Sequence, residues 1–206
     1  MARSAGQNSS AATKSVRWPR KRGGREQGAA CVLGLDVSEK MLERARSSSA
    51  DTVITYAKAD LEKLDLPEAS FDLAYSSLAF HYIEDLRGLL ANIHRALVPG
   101  ARLVFSIEHP IYMAPQNPGW LTDENGRKTW PIDSYQREGA RITNWLADGV
   151  VKQHRTMCTL LNHLIGAGFT IAHVQEWGPT DGEVAARPEL AEERERPMML
   201  LVSANR

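Results

Sequence analysis

From Gly28 onward, short apolar runs alternate with longer polar stretches whose apolar residues recur three and four positions apart. That rhythm is the mark of strands alternating with helices. Cys31 to Leu35 is an apolar run ending at Asp36, and Glu39 to Arg46 follows with Met41, Leu42 and Ala45 on one helical face. Ser38, just ahead of it, is a favoured N-cap residue type. Asp51 to Ala57 is short and β-branched, which predicts a second strand parallel to the first after a crossover. Phe71 to Leu78 is the next strand. Arg87 to Leu97 carries Leu89, Leu90, Ile93, His94 and Leu97 as a helical stripe stopped by Pro99-Gly100, and Arg102 to Glu108 is a further strand. The pattern predicts an α/β fold, a doubly wound Rossmann-like sheet.

The alternation breaks over 109–151, which holds four prolines, Trp120, Trp130, Tyr135, Trp145 and several glycines. Loops of this length are uncommon unless they serve a purpose, so the stretch reads as an aromatic-rich insertion or cap. At least two of those four aromatics are expected to line a pocket beside the strand ends at Ser77 and Glu108. Thr156 to Ala167 then predicts a helix with Leu160, Leu161, Leu164 and Ile165 inward, closed by Gly166 and Gly168. Phe169 to Trp177 reads as a strand, Ala185 to Arg196 as a charged helical stretch, and Met198 to Ala204 as a final buried strand. A short charged link between the last two strands suits an antiparallel closing pair at the sheet edge.

The first 27 residues differ in kind. Met1 to Thr13 is rich in Ala, Ser, Gly and Asn without apolar periodicity, and Lys14 to Arg25 packs six positive charges around Val16, Trp18 and Pro19. Such a segment lacks the apolar surface to offset its ordering entropy, so residues 1–27 read as a disordered basic arm and 28–206 as one domain. The 206 residues carry 25 basic and 25 acidic side chains, so no global field recruits nucleic acid. No apolar run approaches the ~20 residues that span a bilayer, and no signal-peptide core follows Met1. Cys31 and Cys158 lie far apart in apolar-leaning contexts, which predicts buried, unpaired thiols and a cytoplasmic location.

Ligands of open α/β sheets bind beyond the carboxyl ends of the strands. Asp36 ends its strand, with Val37 behind it, and a carboxylate there can accept both hydroxyls of an adenosine ribose. The alternative is that Asp36 only assists Ser38 in capping the helix. Ser76 and Ser77 end the central strand, and His81 and Tyr82 follow in the next turn. Histidine titrates near ~6.5 and can take a proton from an acceptor, and Glu108 and His109 are further acid–base candidates. No His/Cys/Asp spacing resembles a metal site.

Leu33-Gly-Leu-Asp36, the run Ala57 to Ser77 containing Asp60, Pro67 and Ser70-Phe71-Asp72, and Leu97-Val-Pro-Gly100 together resemble a class I S-adenosylmethionine-dependent methyltransferase. The resemblance covers roughly 28–203. It implies S-adenosylmethionine as cofactor, methyl transfer to a small-molecule acceptor, Asp60 accepting from the adenine amino group and Leu61 as an apolar wall. It also implies that Ser76 and Ser77 border the donor methyl. The family's glycine-rich loop, which should stand about 20 residues before Asp36, is replaced here by Lys14 to Arg25 with only Gly23-Gly24. The first strand is therefore expected to be absent, and cofactor binding to be weakened by on the order of a hundredfold. Two other readings stay open: a catalytically inactive binding module, which the missing loop favours, and a nicotinamide-dependent oxidoreductase. The latter lacks a Gly-x-Gly-x-x-Gly motif.

Overall fold

The computed structural model describes residues 29–49, 51–143 and 149–206. In chain order its elements are β1 (Val32–Asp36), α1 (Glu39–Ser48), β2 (Ile54–Lys58), β3 (Phe71–Ser77), α2 (Leu86–Ala96) and β4 (Leu97–Glu108). There follow α3 (Pro110–Met113), the short strands β5 (Leu121–Thr122) and β6 (Lys128–Thr129), and the hairpin β7 (Gly139–Thr143) and β8 (Val150–His154). The chain closes with α4 (Met157–Gly166), β9 (Thr170–Glu176), α5 (Asp181–Ala186) and β10 (Met199–Asn205).

β1 and β2 pair in parallel, with Gly34 opposite Tyr56. A Cβ on Gly34 would fall 2.6 Å from the Tyr56 ring, so only glycine lets that ring lie over the strand. A second sheet has the order β3-β4-β10-β9. β3 and β4 are parallel, while β10 runs antiparallel to both β4 and β9, the closing arrangement that the sequence predicts. Among the described residues β1 and β3 share no ladder; Leu33 of β1 packs against the margin of the main core. The basic arm of 1–27, its Gly23-Gly24 and the question of a first strand lie outside the described residues.

The core forms where the stripe of α2 meets β4 and β10. Leu86, Leu89, Leu90, Ile93 and Ala96 face Leu103, Phe105, Leu200 and Val202, and Leu160 and Leu164 of α4 close it from the side. Each large side chain so buried contributes ~1.5–3 kcal/mol. Asp85 caps α2 by accepting from the Gly88 N–H at 2.9 Å, and Thr156 caps α4. Gly168, at φ +95°, ends the turn after α4, and a Cβ there would lie 2.9 Å from the His94 ring.

Several sequence expectations are corrected. β4 begins at Leu97 rather than Arg102, because Gly100 at φ +79° and a register shift between Phe71 and Leu73 let the strand pass through Pro99-Gly100. The charged stretch 185–196 is not one helix: Pro188 ends α5, and Pro188–Arg194 continues as 3-10 turns. Ile165 points outward at 59 % exposure. Both cysteines are unpaired but exposed, Cys31 ahead of the first ladder residue and Cys158 on the outer face of α4. No described helix is long and apolar enough to cross a membrane.

Candidate active site

Asp36 ends β1 with its side chain buried, and its Oδ1 accepts the Ser38 N–H at 2.8 Å. Ser38 makes no side-chain cap of its own, so this bond opens α1. The capping role is real, and it engages Oδ1. Val37 is 37 % exposed beside it. Asp60 starts a 3-10 turn, Leu61–Lys63, by accepting the Glu62 N–H at 3.1 Å, and stays exposed, while Leu61 is buried.

At the end of β3, Ser76 is buried and its Oγ has no hydrogen-bond partner. Ser77 Oγ accepts from Ser106 Oγ at 3.4 Å. Leu78 then takes φ +49°, and its N–H donates to the Ser106 carbonyl at 2.9 Å, so the chain leaves the sheet through a left-handed non-glycine residue. Residues held there cost ~1–3 kcal/mol and gather at functional sites. The turn Phe80–Tyr82 comes next. His81 is buried and its Nδ1 accepts the Glu108 N–H at 3.4 Å, which ties the turn to the end of β4. Burial, seconded by the Glu108 carboxylate, pushes the Tyr82 phenol up to about 12.

Glu108 is buried, and Lys152 Nζ of β8 donates to its Oε1 at 2.6 Å. Burial raises the Glu108 carboxyl while the Lys152 ammonium draws it back down. His109 is also buried, but both its nitrogens are engaged. Its Nδ1 accepts the Ile111 N–H at 3.1 Å, capping α3, and its Nε2 meets Glu176 Oε1 at 2.9 Å. Burial nevertheless holds the His109 ring below the usual histidine range.

Glu108 and Lys152 line a cavity of about 50 Å³ with Tyr112, Met113, Pro115, Pro118, Arg141 and Thr143. Arg141 is buried and donates to the carbonyls of Ala114 at 3.0 Å, Ala140 at 3.3 Å, and Ser134 at 3.2 Å and Arg137 at 2.5 Å. Arg155 Nη2 fastens the hairpin to the turn by donating to the carbonyls of Ile83 at 2.6 Å and Glu84 at 2.7 Å.

The insertion's aromatics go elsewhere than expected. The Arg196 guanidinium lies over Tyr112, Trp120 and Trp130, 4.6, 5.0 and 4.3 Å from their ring centroids. Tyr112 and Trp130 stack, and Trp120 meets Trp130 edge-on. Tyr135 takes the Met157 N–H on its hydroxyl at 3.0 Å. None of Trp120, Trp130 and Tyr135 lines the cavity: Trp120 and Trp130 form a satellite core with Tyr112 around the buried Arg196 cation, while Tyr135 packs its ring against His154. Trp145 lies outside the described residues.

The residues that sequence reasoning missed are Arg141, Thr143, Lys152 and Tyr112. A signal existed in inverted alternation. Along β7–β8 the charged Arg141 and Lys152 point inward, while Ile142 and Val151 point out at 68 % and 47 % exposure. Among the described residues, no group of His, Cys, Asp and Glu could hold a metal ion.

The methyltransferase domain family matches residues 15–105, a stretch that reaches upstream of Gly28. The fold superposes on the crystal structure of an S-adenosylmethionine-dependent methyltransferase from Mesorhizobium loti with a TM-score of 0.83. That match has 64 % identity over 87 % of this chain and 82 % of the other. An uncharacterized protein of Haemophilus influenzae is 36 % identical over 190 residues, 88 % of this chain and 74 % of its own length.

Proposed function

The chain belongs to the S-adenosylmethionine-dependent methyltransferases, and from that premise we propose that its acceptor is a small molecule held in the cavity beside Glu108. The carrying observation is the cavity itself. It lies where β4 ends, walled by the β7–β8 hairpin and by α3 with the residues after it, the end of the strands at which open α/β sheets bind their ligands.

The residues at the strand ends fit the cofactor. Asp36 offers a buried carboxylate at the end of β1, and Ser76 Oγ is a buried polar atom still wanting a partner at the end of β3. In this reading Asp36, Val37, Asp60 and Leu61 hold the adenosine end, and Ser76 and Ser77 border the reacting methyl. When bound, the sulfonium cofactor supplies a methyl group already activated by its leaving group. The chain's own part is then to orient the acceptor, exclude water and take a proton. Glu108 is the proton acceptor of choice, since burial raises its carboxyl toward neutrality. His81 positions it through the Glu108 N–H, Tyr82 stays a neutral hydrogen-bond donor, and His109 sets α3.

Titration with S-adenosylhomocysteine tests the cofactor half. Saturable binding is expected, weakened about tenfold by Asp36→Asn, which keeps the Ser38 bond but loses the charge. Equal affinity would remove Asp36 from the site. For the acceptor half, label from methyl-tritiated S-adenosylmethionine should enter the small-molecule fraction of a cell extract. Label in protein or nucleic acid instead would overturn it.

A further inference from the structure

Arg141 and Lys152 are cross-strand partners in the β7–β8 hairpin, and both are buried. Like charges directly opposite each other are unfavourable, and burial makes them more so. Lys152 is met by Glu108, while Arg141 is met by four carbonyl dipoles rather than by a carboxylate in the cavity. Asp133 is the carboxylate that acts on Arg141 from outside; it is exposed, and its Oδ1 takes the Gln116 N–H at 3.0 Å. The cavity walls therefore hold two cations, Arg141 and Lys152, against one carboxylate, Glu108. They also hold Thr143 Oγ1, a buried hydroxyl with no partner. The rest of the lining is Tyr112 and the apolar Met113, Pro115 and Pro118.

We propose that this cavity is the acceptor subsite for a small carboxylic acid, its carboxylate between Arg141 and Lys152 and its apolar body against Met113, Pro115 and Pro118. The identification of the cavity as the acceptor site rests on the methyl-transfer reading above. One surplus positive charge matches one negative charge, which selects a carboxylate over a phosphate dianion. The four carbonyl bonds of Arg141 leave it one Nη1 hydrogen to donate to a carboxylate, and Thr143 supplies a neutral donor beside it. An acceptor lacking the charge leaves the one surplus positive charge without a counter-charge in the cavity and the Thr143 hydroxyl unpaired.

The test is isothermal titration with acetate and propionate, with their uncharged amides acetamide and propionamide, and with inorganic phosphate. At least one acid should bind saturably, tenfold or more tighter than its amide and tighter than phosphate. The paired change Glu108→Gln with Lys152→Met, which removes one charge of each sign, should weaken that acid tenfold or more. Thr143→Val, a near-isosteric change that tests the subsite should the pair not fold, should weaken it severalfold. Acids and amides binding alike, neither acid binding, phosphate binding tighter, or full affinity in a folded variant would each overturn the proposal. S-Adenosylhomocysteine is titrated separately. Its binding without acid binding overturns the subsite and leaves methyl transfer standing, whereas acid binding alone confirms an anion site and removes its role as acceptor.

Discussion

Lys152 Nζ donates to Glu108 Oε1 across 2.6 Å, and the two side chains are 3 % and 5 % exposed. The pair joins the insertion hairpin to the carboxyl end of β4, so it ties the cavity's roof to its floor. Removing one partner strands a buried charge, and such changes cost ~3–5 kcal/mol. Lys152→Met alone should thus destabilise by that amount, while Lys152→Met with Glu108→Gln should cost much less. Denaturant unfolding of both variants measures the difference. Equal losses would mean that the pair is energetically silent.

Acid should destabilise this protein well before its carboxylates titrate. His94, His109, His154 and His163 are all held below the usual histidine range, chiefly by burial. In the window below the unfolded value of ~6.5 the unfolded chain binds more protons than the folded one. Stability is therefore full above that pH and falls as pH drops through it. Melting temperature should decline between pH 7.5 and 5.5, less steeply for His154→Gln. A flat or rising melting temperature on acidification would contradict this.

Arg196 should behave as the central post of the satellite core. Its side chain is 5 % exposed, pairs with Glu193 at 2.6 Å and contacts the three rings of Tyr112, Trp120 and Trp130. Arg196→Ala leaves Glu193 unpaired and should cost ~3–5 kcal/mol. Arg196→Lys keeps the charge but not the flat contact, and should cost ~1–2 kcal/mol. Thermal unfolding followed by tryptophan emission reads both, and a larger loss for the lysine variant would reject this account.

The sequence alone carried the strands and helices of the α/β frame, because their apolar spacing is a local property that burial rewards. Leu89, Leu90 and Ile93 announce α2 by their spacing, and Asp36, Ser76 and Glu108 announce themselves as strand ends. Local signals failed where a neighbour far along the chain decides the outcome. Pro99-Gly100 reads as a stop, yet pairing with β3 carries β4 through it. Trp120 and Trp130 read as pocket walls until Arg196, more than sixty residues on, takes their faces. Lys152 has no chemistry until the hairpin lowers it onto Glu108, forty-four residues earlier. Only the tertiary structure could set that pairing, because a buried charge selects its partner by distance in space, and spacing along the chain does not encode it.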